Sequence, residues 1–198
     1  MWAGVDVGDT RKGFHYALLG RGDGVEIGAV RDAAALSELL SVRRVELVAV
    51  DSPIAAAPLG ERSRLGERLL ASRKTGVCGI RWTPDMSRME GRRSYYGWIL
   101  NGLLLYAELE RSDIRAVECF PTASWTRLIG KRGSCSRAAW TSAGLARLRL
   151  AADPSNQDER DAVMAALTAR LCAWGLTESF GTIVVPLAGA LDAARARG

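Results

Sequence analysis

The chain has 198 residues, 48% of them hydrophobic and 25% charged, a globular balance that excludes disorder and a fibrous repeat. One domain spanning residues 1–198 is the simplest arrangement, long enough to bury a full core. The net charge is +5, no window approaches the roughly 18 apolar residues of a membrane span, and the start carries no basic-then-apolar leader pattern, so a cytoplasmic location is expected and no membrane contact.

In chain order, Ala3 to Val7 is a strand, followed by a turn around Gly8 to Gly13, then "FHYALLG", a turn at "RGDG", and "VEIGAV". Glycine-rich turns between short apolar runs predict an antiparallel three-strand meander. "RDAAALSELLSV" has helical apolar spacing, with Asp32 as N-cap. "VELVAVDSPI" is a β-branched run that reads as a strand covered on both faces and stops at Asp51-Ser52-Pro53. Loop and short helix are expected from Ala55 to about Met89. "RSYYGWILNGLLLYAELE" then predicts a long apolar helix, and "IRAVECFP" a buried strand ending at Glu118 and Pro121. Ser155 or Asn156 can cap the helix "QDERDAVMAALTARLCAW", and "TIVVP" adds one more short strand. The expected fold is α/β, with a mixed five-stranded sheet (an antiparallel meander plus parallel strands) flanked by helices.

The positive charge is localised. Between Gly60 and Arg93 stand nine basic residues, Arg62, Arg64, Arg68, Arg73, Lys74, Arg81, Arg88, Arg92 and Arg93, against four acids, which accounts for the excess of the whole chain. Within an insertion at about 55–93, such a cluster suits a polyanion, since arginine–phosphate contacts dominate nucleic-acid affinity. A solvated helix face is the alternative. Trp82 is the aromatic in this segment best placed to stack on an unpaired base, whereas Trp98, on the apolar side of its helix, reads as core. The four cysteines, Cys78, Cys119, Cys135 and Cys172, form no C-x-x-C pair, and His15 is the only histidine. A clustered zinc centre is thereby excluded. Cys119 has no second histidine to activate it, and His15 reads as a structural mid-strand residue.

Acids stand at comparable places in four apolar elements: Asp6 in the first strand, Asp51 at the end of the fourth, Glu118 at the end of the fifth, and Asp158 and Asp161 at the start of the last long helix. Isolated buried carboxylates are costly, and ligands of open α/β sheets gather at the carboxyl ends of the strands. Convergence at one edge gives the acids a shared purpose. Clustered carboxylates suit Mg²⁺ or Mn²⁺, and two such ions stabilise the attacking and leaving oxygens of a phosphodiester. Taken singly, each acid has another explanation: Asp6 and Asp51 as turn residues, Asp158 and Asp161 as helix-dipole partners, Glu118 as an ion-pair partner of Arg62 or Arg68.

With these residues on the page, the chain resembles the ribonuclease-H-like superfamily, in the RuvC-type arrangement of acids. "GVDVG", "VAVDSPIAAAP", "ERSRLGERLL", "ECFPTASW" and "DERDAVMAALTA" are similar to the family called domain of unknown function 429, described as predicted nucleases. The resemblance spans Gly4 to Pro186. It implies Asp6, Asp51 and Asp161 as metal ligands, with Asp158 and Glu118 as possible additions, and a catalytic set made of these five. It implies nucleic acid, DNA or RNA, as partner. The leading expectation is a divalent-metal-dependent nuclease; the alternative is a non-catalytic binding module for nucleic acid or protein on the same scaffold. "GVDVGDT" also resembles the phosphate loop of sugar-kinase and actin-like ATPases, but a second such loop is missing.

Overall fold

A computed structural model describes residues 1–72 and 79–195; Arg73 and Lys74 of the expected nucleic-acid set, and Cys78, lie outside the described residues. The apolar runs form the expected meander of β1 (Trp2–Val7), β2 (Phe14–Leu19) and β3 (Val25–Val30). Asp9 shapes its first turn, its carbonyl accepting from the Lys12 and Gly13 amides and its carboxylate from those of Arg11 and Lys12. Asp32 caps α1 (Ala33–Val42) by accepting from the Ala35 amide at 2.8 Å. There follow β4 (Leu47–Asp51), α2 (Leu65–Leu70), α3 (Met86–Glu90), the long α4 (Arg93–Arg111) and β5 (Ala116–Cys119). The remainder is α5 (Pro121–Ile129), α6 (Arg137–Leu148), α7 (Gln157–Ala173), β6 (Thr177–Phe180), β7 (Ile183–Pro186) and α8 (Ala190–Arg195).

The strands make one mixed sheet in the order β3-β2-β1-β4-β5-β7-β6. β1, β4, β5 and β7 run parallel, while β2, β3 and β6 pair antiparallel with their neighbours. The sheet thus has seven strands and not the five expected. β7 is the "TIVVP" strand, and β6, "TESF", turns back on it through Gly181, whose φ is +60°. A four-residue polar strand gives no apolar alternation to read. Three helices, α5, α6 and α8, are also additional to the sequence reading. Pro121 not only ends β5 but opens α5 at its first turn, where a missing N–H costs nothing. Ser136 caps α6 by accepting from the Ala139 amide at 3.1 Å.

Side-chain alternation assigns the two faces. Ala3, Val5 and Val7 join Phe14, Val48 and Val50 in a core against α1 and α4. The opposite face carries Trp2, Ala17, Leu19, Leu47 and Ala49, packed against α7. Gly4 lies on that second face, and a Cβ there would stand 2.0 Å from the Ala166 nitrogen and 2.2 Å from the Ala162 oxygen. The alanines of α7 at positions 162, 165, 166 and 169 are fully buried. Small residues on both sides thus let the helix backbone rest directly on the central strand. On the other face, a Cβ on Gly102 of α4 would meet the Ser52 side chain, its Oγ at 1.9 Å.

Because the obstacle at Gly4 is backbone, Gly4→Ala must push α7 away from β1. The expected loss is about 3 kcal/mol or more, at or beyond the upper end of ordinary overpacking, measured by urea denaturation; a loss below about 1 kcal/mol would show that the helix slides freely.

Candidate metal and nucleic-acid site

The β1–β2 register pairs Asp6 with His15, and the β1–β4 register pairs Asp6 with Asp51. These three residues therefore form a row across the α7 face of the sheet, at the carboxyl ends of the parallel strands. Asn156 starts α7 beside this row, its side chain accepting from the Glu159 amide at 2.9 Å. Asp158 and Asp161 follow on the first turns of the helix. All four aspartates line a cleft of about 290 Å³, together with Lys12, Arg81, Arg137 and Gln157.

Burial and mutual repulsion load these carboxylates. Burial, then the charges of Asp161 and Asp158, push Asp6 up to about 8. Burial, then Asp6 and Asp161, raise Asp51 well above the usual range. Asp161 is also raised, by burial first, although Arg137, Gln157 and Trp125 act in the opposite direction. Its Oδ2 accepts from Arg137 Nη2 at 2.7 Å, and its Oδ1 from Gln157 Nε2 at 3.0 Å and Trp125 Nε1 at 3.2 Å. Asp158 accepts from Lys12 Nζ, with His15 Nδ1 3.8 Å from the same oxygen. Among the described residues, Asp6, His15 and Asp158 present three ligand atoms within 4.8 Å of one another. Asp51 and Asp161 share the cleft and the electrostatics but stand outside that closest trio. An oxygen-rich set whose repulsion raises its own proton affinity is one that a hard divalent cation fits.

Glu118 lines the same cleft, but from the other face of the sheet. It pairs with Val50 and follows Ala116 onto the α4 face, opposite the aspartate row. Of the two roles the sequence leaves open for it, the structure realises the ion pair, with Arg64 in place of Arg62 or Arg68. Arg64 Nη1 donates to Glu118 Oε2 at 2.7 Å and Nη2 to Oε1, while Arg64 Nε donates to Glu67 Oε1 at 2.9 Å. Thr182 Oγ1 and the Ile54 amide add donors to Glu118, and the Thr83 amide donates to Glu67. Both carboxylates are buried, Glu67 at 1% and Glu118 at 3% exposure. This differs from the sequence reading of Arg64 as a phosphate contact: only 9% exposed, its guanidinium is spent on anchoring the insertion to the sheet.

The other basic residues divide. Arg68 pairs with Glu61 at 3.1 Å and Arg88 with Asp85 at 3.3 Å. Arg92 stacks 5.5 Å from the centroid of Tyr95. Arg62, Arg81 and Arg93 are exposed and make no ion pair among the described residues; Trp82 is 48% exposed. Trp98 is half-buried and lines the cleft, its indole N–H without a partner among the described residues, so it is not simply core. Cys119 is buried on the α7 face and burial pushes its thiol well up, which removes it as a nucleophile. Sequence reasoning missed Lys12, Arg137, Gln157 and Trp125, and it gave His15 no place beside Asp6. The hairpin turn centred between Gly8 and Gly13 is the one signal that puts residue 15 across from residue 6.

Two expectations follow from this geometry. Arg64→Met leaves Glu118 and Glu67 buried without their cation, so urea denaturation should show a loss of about 3–5 kcal/mol, whereas Arg68→Ala, which removes an exposed pair, should cost no more than about 1 kcal/mol. Asp6 binds its proton more tightly folded than unfolded, so stability present below the ordinary carboxylate range falls as pH rises toward 8. In chelator, Tm should therefore drop between pH 5 and pH 8 by roughly 5 °C or more, at about 2–4 °C per kcal/mol, and Asp6→Asn should flatten that fall.

The chain matches no protein-family model and no curated protein sequence. It is similar in structure to RuvC of Thermus thermophilus, at 17% identity and a TM-score of 0.47, over 93% of this chain and 99% of that one. It is similar to the same extent to T. thermophilus RuvC in complex with a Holliday junction substrate, again at 17% identity and 0.47, over 94% of this chain and 100% of that one.

Proposed function

We propose that this chain is a divalent-metal-dependent nuclease that hydrolyses phosphodiester bonds of nucleic acid, using Mg²⁺ or Mn²⁺ held by Asp6, Asp51, Asp158 and Asp161. The observation that carries the proposal is the row of Asp6 and Asp51 on adjacent parallel strands with Asp158 and Asp161 brought over it by α7, all in one cleft. When bound, the ions supply an activated water and charge stabilisation of the leaving oxygen. The protein's part is to hold four carboxylates against their mutual repulsion on a rigid sheet edge. Trp125 and Gln157 fix the orientation of Asp161. Arg81 and Arg137, both exposed at the cleft, are placed to meet phosphate oxygens, and Arg62, Arg68, Arg92 and Arg93 extend the positive surface along the insertion. Trp82 offers an open ring for stacking on a base. Glu118 serves this reading indirectly, by seating Arg64 and with it the basic segment.

One observation favours a second reading, a non-catalytic binding module. Lys12 and Arg137 already pair with Asp158 and Asp161, and internal cations are what a metal-free site needs. Calorimetric titration with Mn²⁺ separates the two, since a module without a metal site shows no binding that depends on the aspartates.

The decisive assay is cleavage of single-stranded, duplex and branched DNA and RNA with Mg²⁺ or Mn²⁺. Asp6→Asn and Asp51→Asn should each lower the rate by at least about a hundredfold, the scale of losing one preorganised charge-stabilising group, with chelator abolishing it; undiminished cleavage by Asp6→Asn sinks the proposal.

A further inference from the structure

The metal ligands expected from the sequence are all carboxylates, yet the tightest group of donor atoms among the described residues contains a ring nitrogen. His15, Asp6 and Asp158 present atoms that all lie within 4.8 Å of one another, His15 Nδ1 being 3.8 Å from Asp158 Oδ2. Atoms about 2.1 Å from one ion stand roughly 3 Å apart when adjacent and roughly 4.2 Å apart when opposite. The trio is therefore within small side-chain adjustments of a shared cation. Its placement is built into the backbone, because the β1–β2 register puts His15 across from Asp6 and α7 carries Asp158 over the same face. A positive group already stands there: the Lys12 ammonium donates to the Asp158 oxygen that faces His15.

Resting on the metal-dependent reading above, we infer that His15, Asp6 and Asp158 form a mixed nitrogen–oxygen cation position, beside the all-oxygen set of Asp6, Asp51 and Asp161. Asp6, central in the row, is shared by both. Imidazole suits transition ions, whereas Mg²⁺ takes oxygen and keeps its water. The mixed position consequently selects Mn²⁺ over Mg²⁺. Lys12 competes for the same carboxylate oxygen and weakens that binding.

His15 is the only histidine in the chain, so pulsed electron paramagnetic resonance on the tag-free protein loaded with Mn²⁺ alone reads the bond directly. The expected spectrum shows coupling to an imidazole ¹⁴N, converted to the ¹⁵N pattern when the unmutated protein is grown with ¹⁵N-histidine, and absent in His15→Gln, which still binds Mn²⁺ through carboxylates. Calorimetry should show His15→Gln losing most of the preference for Mn²⁺ over Mg²⁺. Lys12→Met should bind Mn²⁺ roughly twofold to fivefold more tightly, the worth of an exposed ion pair. Bound Mn²⁺ with no nitrogen coupling in the unmutated protein overturns the role of His15 and leaves the nuclease proposal standing. Absence of any aspartate-dependent Mn²⁺ binding overturns both.

Discussion

The site depends on one contact, the backbone of α7 resting on the backbone of β1 at Gly4. With a Cβ excluded by the Ala166 nitrogen and Ala162 oxygen, the helix lies as close to the sheet as atoms allow. Two residues along β1 is Asp6, on the same face, and one turn before Ala165 is Asp161. The short interaxial distance therefore fixes the separation of the carboxylates. Burial first, and then the repulsion between acids, lift Asp6 and Asp51, and both follow from the same closeness.

Two charged systems reach the cleft from the two faces of the sheet. On the α7 face stand the aspartates, compensated by Lys12 from the first turn and Arg137 from α6. On the α4 face, Glu118 and Glu67 grip Arg64. Period-two alternation is what divides them: Val50 and Glu118 are neighbours on one face, and Asp51 belongs to the other. α4 secures both strand ends at this edge, with Asn101 donating to the Gly8 carbonyl at 3.0 Å and the Tyr106 hydroxyl to the Ser52 carbonyl at 3.1 Å. A buried ion pair contributes little net stability but leaves a heavy penalty if broken. The Arg64 network accordingly acts as an anchor that ties the start of α2 to β5 at the cleft.

Elements with strong local signals were legible in the sequence. β1, β2, β3, β4 and β5 are apolar runs between glycine or proline turns, and Asp32 and Asn156 cap α1 and α7 in the structure. Asp6, Asp51, Asp158 and Asp161 were legible for a related reason, since each interrupts or adjoins an apolar element and so calls for an explanation. What was not legible depends on register or on tertiary pairing. His15 is an ordinary mid-strand residue until it is paired with Asp6. Arg64 is one basic residue among nine until Glu118 and Glu67 bury it. α5 and α6, helices of 9 and 12 residues, are not among the elements expected from the sequence, yet they supply Trp125 and Arg137, both of which bond to Asp161.

Those two helices also explain why Asp161 differs from its neighbours. Asp6 and Asp51 owe their raised proton affinity to burial and to other acids, with no hydrogen-bond donor among the described residues offsetting it. Asp161 meets the same burial but is held by an indole, an amide and a guanidinium, which favour its ionised form. Asp161 is therefore oriented by three side-chain donors, whereas among the described residues Asp6 and Asp51 accept from none. Arg137 is the hinge of this division, because its side chain is 43% exposed while Asp161 is nearly buried. Arg137 thus holds Asp161 from the solvent side, while Trp125 and Gln157 hold the same carboxylate from inside. Under the proposed nuclease activity, the same arginine would neutralise the resting site and meet a phosphate, with no rearrangement of the sheet.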